Sequence, residues 1–199
     1  MIFPNLVNWF LKQRSGHTAL DVGEEFDIVS QWQQRTWIRE SSVGLSCDIF
    51  SCPGGEMPKE LTFPPELASL VIQDSQMTTF PDSILELKNL TILWITRSNI
   101  SKLPENIDRL SSLTNLCIKR GSLTELPESI SNLTYLHGLD VQINNITSLP
   151  ASFDKLQSLV NLDISFNPIK DVSAIDRMPM INHWSREQAQ MYRHTLKSN

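Results

Sequence analysis

Apolar residues recur along this chain at an interval too long for one helix or one strand. Leu67, Leu90, Leu113, Leu136 and Leu159 stand 23 residues apart. Cut at these positions, the chain gives five segments that align with one another: LASLVIQDSQMTTFPDSILELKN, LTILWITRSNISKLPENIDRLSS, LTNLCIKRGSLTELPESISNLTY, LHGLDVQINNITSLPASFDKLQS and LVNLDISFNPIKDVSAIDRMPM. Apolar side chains hold unit positions 1, 4, 6, 11, 14, 18 and 21 in nearly every copy, and Pro81, Pro104, Pro127 and Pro150 follow position 14. Five phased copies are the signature of a repeat architecture. The alternation at positions 4 and 6 predicts a short strand with one buried face. The proline removes a backbone donor and ends regular pairing, so the return leg is predicted to be 3₁₀, polyproline-like or irregular. A single unit buries too little to order itself, and stability has to come from stacking on its neighbours.

These units resemble the leucine-rich-repeat family, in its 23-residue subclass with the LPxxIxxLxx ending, which occurs in bacterial repeat proteins and in Ras-pathway scaffolds. The resemblance implies an α/β solenoid: a leucine-rich-repeat arc with a parallel sheet on its concave side and an irregular or 3₁₀ convex side. Two departures from the family pattern stand out. Position 9 is usually Asn, whose side-chain amide bonds the turning backbone, yet only Asn144 and Asn167 match. Ser75 and Ser98 substitute in part and Gly121 not at all, so the polar spine is expected to be weaker in the N-terminal half. The fifth unit lacks the proline, and its Val172, Ile175 and Met178 make it one residue short, so that a following unit would begin at Ile181.

A solenoid needs its end units covered. One period before Leu67, Cys47, Ile49, Met57-Pro58 and Leu61 fall on core positions, which predicts a degenerate first repeat over 44–66. Residues 1–43 have no repeat character. Phe3, Leu6, Val7, Phe10 and Leu11 form an apolar stripe at helical spacing, while the stretch from Glu24 to Glu40 fits neither period. An N-terminal helical cap is therefore expected, the alternative being a separate interaction element. At the other end, Ser185 with Gln188 resembles a capping box, and Ala189, Tyr192 and Leu196 give a helical stripe, so 181–199 is predicted as a C-terminal capping helix with Trp184 against the last unit. With both ends sealed, the five repeats of 67–180 are expected to form a whole domain.

In such an arc, positions 3, 5, 7 and 8 point away from the core on the concave side, and strands about 4.8 Å apart turn each position into a column. Position 5 reads Val71, Trp94, Cys117, Asp140, Asp163; position 7 reads Gln73, Thr96, Lys119, Gln142, Ser165; position 8 reads Asp74, Arg97, Arg120, Ile143, Phe166. Trp94, Arg97, Lys119 and Arg120 would make a basic patch around an aromatic, with Asp140 and Asp163 beyond it. Ile143 and Phe166 are apolar where solvent is expected. Trp and Arg dominate interface hot spots, so the candidate partner-binding face comprises Trp94, Thr96, Arg97, Cys117, Lys119, Arg120, Asp140, Gln142, Ile143, Asp163 and Phe166. The bland alternative is an ordinary solvated surface with Phe166 partly covered by the C-terminal cap.

Composition narrows the chemistry. A formal net charge of −5 over 199 residues argues against a general nucleic-acid binder. No run approaches the roughly 20 apolar residues of a membrane span, and Pro4, Asn5 and Asn8 interrupt the one apolar N-terminal stretch, so a cytoplasmic protein is expected, with specialised secretion leaving no recognisable trace. Cys47, Cys52 and Cys117 are an odd number and read as reduced thiols. Cys47 and Cys52 lack a second pair or nearby His for zinc, and His17, His137, His183 and His194 match no metal or triad spacing. Gly54-Gly55 has no phosphate-loop pattern, and the sequons at Asn89, Asn99, Asn132 and Asn145 arise from the repeat itself. Cys117 is expected on the exposed face, where Lys119 and Arg120 would lower its pKa. No catalytic or metal-binding residue and no cofactor is assigned. The expected function is a monomeric protein-interaction module that binds another protein. The alternatives are recognition of a glycan or small ligand on the same face, or the substrate-recognition part of an enzyme such as a ubiquitin ligase.

Overall fold

The computed structural model describes residues 36–182, apart from 43, 52–54, 59, 60 and 62, together with Ser185 and Glu187. Seven strands form one sheet in chain order: β1 (Thr36–Ser41), β2 (Gly44–Phe50), β3 (Leu67–Gln73), β4 (Ile92–Thr96), β5 (Asn115–Lys119), β6 (Gly138–Asp140) and β7 (Asn161–Asp163). From β2 onward every pair is parallel, and the register carries Cys47, Leu70, Leu93, Leu116, Leu139 and Leu162 side by side. These residues are buried, as are Ile49, Ile72, Ile95, Ile118, Val141 and Ile164 two positions on. Period-2 alternation puts both rows on the core side of the sheet and positions 3, 5 and 7 on the other.

The return legs are 3₁₀ helices at Asp82–Glu86, Ile107–Arg109, Glu128–Asn132, Phe153–Lys155 and Ser173–Arg177. Each buries the apolar residue of position 18, Ile84, Ile107, Ile130 and Phe153, or its counterpart Ile175 at position 17 of the short fifth unit. In the first four units the backbone N–H of that residue donates to the carbonyl of the proline three residues earlier, at 3.1 Å in every case. The proline thus supplies an acceptor while its missing donor goes unused. Among the described residues, α-helical backbone occurs only at Ser185 and Glu187, so the body of the solenoid is strand and 3₁₀ helix without the expected α component.

A ladder of backbone bonds at position 2 shows the unit length directly. Thr91, Thr114, His137, Val160 and Asn182 each donate to the position-2 carbonyl one unit earlier, at Ala68, Thr91, Thr114, His137 and Val160. The step is 23 residues four times and 22 at the last, which is where the fifth unit is one residue short.

The helical cap predicted ahead of Gly44 is, over its last residues, a strand. β1 pairs antiparallel with β2, from Thr36 opposite Ile49 to Ser41 opposite Gly44. A parallel stack leaves the outer edge of its first strand without partners, and an antiparallel strand joined by a tight connection satisfies it. Gly44 opens β2 at φ 117°, and a Cβ there would stand 3.0 Å from that of Ala68. The stripe from Phe3 to Leu11 lies outside the described residues, as do Cys52, Gly54, His17, His183, His194, Trp184 and most of the predicted C-terminal helix. Ser185, expected to open a capping box, uses its hydroxyl to accept the N–H of Leu162 at 3.0 Å, while its own N–H donates to Asn182 Oδ1 at 2.8 Å.

Candidate binding face on the concave sheet

The polar spine explains how the chain turns after each strand. Asn144 accepts the Leu123 N–H at Oδ1 (3.0 Å) and donates through Nδ2 to the carbonyls of Ile118 (2.8 Å) and Val141 (2.9 Å). Asn167 repeats this one unit on, with Ile146 N–H, Val141 and Ile164. In the N-terminal half the Ser75 hydroxyl is buried without a partner, so the serine there does not substitute for the amide. Gly121 serves its neighbour instead, because a Cβ there would lie 2.9 Å from Asn144 Oδ1.

Just before each spine residue the backbone takes a left-handed turn. Asp74, Arg97, Arg120, Ile143 and Phe166, the whole position-8 column, have φ between 53° and 57°. For residues with a Cβ this conformation is costly, and most of all for a β-branched one. It is held by the ladder: Asp74, Arg97, Arg120 and Ile143 each donate their N–H to the position-7 carbonyl of the next unit, at 2.9–3.1 Å. The turn swings position 8 to the rim of the sheet. Phe166 is 76% exposed there and Ile143 is also exposed.

Inside the rim, units two to five enclose a recess of about 380 Å³ with a mostly apolar lining. Position 5 contributes Trp94, Cys117, Asp140 and Asp163; position 3 contributes Ile92, Asn115, Gly138 and Asn161. The position-3 residues were not among the candidates, although period-2 alternation places them on the same face. Gly138 leaves space that the Asn115 amide occupies, since a Cβ there would come within 2.6 Å of its nitrogen. Trp94 is 40% exposed at one end of the recess. Thr96 and Cys117, expected to be exposed, are buried. Each is a short side chain between longer ones of its own column, Thr96 between Gln73 and Lys119 and Cys117 between Trp94 and Asp140.

The basic patch is largely neutralised within the chain. Arg97 pairs with Asp74, and Lys119 with Asp140 at 3.0 Å. The Lys119 ammonium also lies 5.1 Å from the centre of the Trp94 ring, a cation–π distance. Burial works against the Lys119 charge, but Asp140 outweighs it and the ammonium titrates above its ordinary value. The Cys117 thiol is pushed up, not down: burial is the main cause and Asp140 adds to it, outweighing the opposing charge of Lys119. Cys117 is therefore not an activated nucleophile. Arg120, Asp163, Gln142, Ile143 and Phe166 remain accessible to differing degrees on the same face. Among the described residues no group of three His, Cys, Asp or Glu could hold a metal ion, and no helix is long and apolar enough to cross a membrane.

No protein-family model matches the sequence, and no curated protein matches it. Solved structures do. The Leptospira interrogans LRR protein LIC12759 is 28% identical with a TM-score of 0.65, over 69% of this chain and 35% of its own. The leucine-rich repeat domain of the type III effector XCV3220 (XopL) is 24% identical with a TM-score of 0.63, over 87% of this chain and 62% of that one. The plant peptide hormone receptor RGFR1, solved in complex with RGF2, is 22% identical with a TM-score of 0.57, over 63% of this chain and 21% of that one. This chain spans less than two thirds of the length of each.

Proposed function

Because this chain is a leucine-rich-repeat protein, we propose that it is a protein-interaction module that takes its partner on the concave face of the sheet and carries out no catalytic step. The observation that carries this reading is the accessible set on that face. Trp94 stands 40% exposed at one end of the recess, and Ile143 and Phe166 stand exposed on the rim despite a backbone conformation that disfavours them. Exposed aromatic and apolar side chains beside fixed charges are the usual anchors of a protein interface.

The same reading divides the chain into an N-terminal cap over 1–43, a degenerate first unit over 44–66, five repeats over 67–180 and a C-terminal cap over 181–199. The parallel pairing of β2 with β3 supports the 44–66 unit. The proline after position 14 in four units supports the 23-residue LPxxIxxLxx subclass. Free thiols at Cys47 and Cys117 support a cytoplasmic setting.

The test is a pull-down with the full chain and with Trp94→Ala and Arg120→Glu. Both substitutions are at accessible side chains, so circular dichroism is expected to be unchanged. Recovery of the main partner should fall in both variants; recovery equal to that of the unaltered chain contradicts the reading.

A further inference from the structure

We propose that the partner segment is extended and carries two opposite charges, a basic residue that meets Asp163 and an acidic residue that meets Arg120, about four residues apart. This inference rests on the reading of the concave face as the docking surface. It comes from charges on units two to five that form no ion pair among the described residues, Asp163 acting on the Lys119 ammonium only at a distance. Arg97 is paired with Asp74 and Lys119 with Asp140. Among the described residues, neither Arg120 nor Asp163 has an ion pair.

The chain itself shows what the position-5 column accepts. The Lys119 ammonium bridges the Trp94 ring and the Asp140 carboxylate, reaching forward one strand from position 7. One strand further, position 7 is Gln142, which is neutral and turns its amide back to Asp140 at 3.3 Å. Asp163 is left with the hydroxyl and N–H of Ser165, both on Oδ1, at 2.6 and 2.9 Å. Neutral donors of this kind orient a carboxylate without cancelling its charge. Asp163 is half-buried at the end of a largely apolar recess, which suits the aliphatic stem of a lysine or arginine with its charged head at the carboxylate.

Arg120 sits on the rim at the end of β5, two strands from Asp163 and three positions further along the unit. With strands about 4.8 Å apart and a rise of about 3.3 Å per residue, the two backbone positions are on the order of 14 Å apart. That distance corresponds to about four residues of extended chain. A segment crossing the face diagonally would satisfy both charges, and its continuation past Arg120 leads toward the strand that carries Trp94. A segment of the reverse polarity would bring like charges together at both ends.

The test uses the full chain and a random peptide library displayed on phage. Peptides selected on the unaltered chain are expected to carry a basic and an acidic residue about four apart. Asp163→Lys should weaken their binding about tenfold or more, and selection on that variant should replace the basic residue by an acidic one. Asp163→Asn gives the same loss of binding, without the exchange, should the lysine disturb the fold. Selected peptides whose binding falls in Trp94→Ala but which show no charge preference overturn this inference and leave the docking face standing. Peptides indifferent to Trp94→Ala and Asp163→Lys overturn both. Enrichment of no peptide, or self-association of the chain through this face, also overturns it.

Discussion

Asn144 and Ser75 occupy the same position of the repeat and do opposite things. The Asn144 amide closes three backbone bonds across two units, while the Ser75 hydroxyl is buried with no partner. Removing a buried amide strands the groups it served, and removing an unsatisfied hydroxyl strands nothing. Asn144→Ala is therefore expected to destabilise the chain by about 2–4 kcal/mol, and Ser75→Ala to change it by less than about 0.5 kcal/mol. The midpoint of urea unfolding checks both, and equal effects would show the spine to be uniform. Ile143 makes a second residue-scale case. A β-branched residue at φ 57° is held against its preference, and Asn tolerates that region better. Ile143→Asn is expected to raise stability by up to about 1 kcal/mol while lowering partner recovery, as thermal unfolding and the pull-down would show together. This left-handed column was not legible in the sequence, because Asp, Arg, Arg, Ile and Phe carry none of the glycine signal that marks such a turn.

At the scale of elements, the units are stitched on their convex side by pairs one repeat apart, such as Arg109 with Glu86 and Arg177 with Asp154, each at 2.6 Å. Hydrogen bonding from Arg177, reinforced by its charge, holds the Asp154 carboxyl below its ordinary range. A depressed carboxyl favours the folded state above the ordinary carboxylate range, and that contribution is lost as the pH falls through the lowered value. In Arg177→Gln the Asp154 carboxyl is expected to titrate in the ordinary range, which a carboxyl-carbon NMR titration would show; an unchanged low value would remove Arg177 as the cause. Strands and 3₁₀ turns were both readable from the unit, since Leu and Ile at positions 4 and 6 alternate and the proline follows position 14. The antiparallel strand β1 was not. Trp37 and Ile38 sit next to each other and give no period, and what makes them a strand is the open edge of β2, a tertiary demand.

For the whole molecule, stability in a stack of this kind is carried by each unit and its nearest neighbours. Deleting 113–135, one complete repeat, should leave a folded chain with cooperative unfolding at lower denaturant. Deleting half that length should not fold, because it puts core positions out of phase with their neighbours. Circular dichroism with urea titration distinguishes the two outcomes. The sequence made the period, the short fifth unit and the buried columns legible, because each depends only on spacing. The pairing of Arg97 and Lys119 was not, since it depends on which residues face one another at a distance of one unit or nearly so. Nor was the position-3 lining of the recess, Ile92, Asn115, Gly138 and Asn161, which was left out of the candidate face.

Amide chemical-shift mapping of the isotope-labelled chain, with the partner recovered in the pull-down, decides whether the strand face is the working face. Shifts are expected to concentrate in 92–97, 115–120, 138–143 and 161–166, with the 3₁₀ helices on the opposite side little changed. Shifts concentrated on those helices, with Trp94 and its column unmoved, would contradict a working role for the strand face.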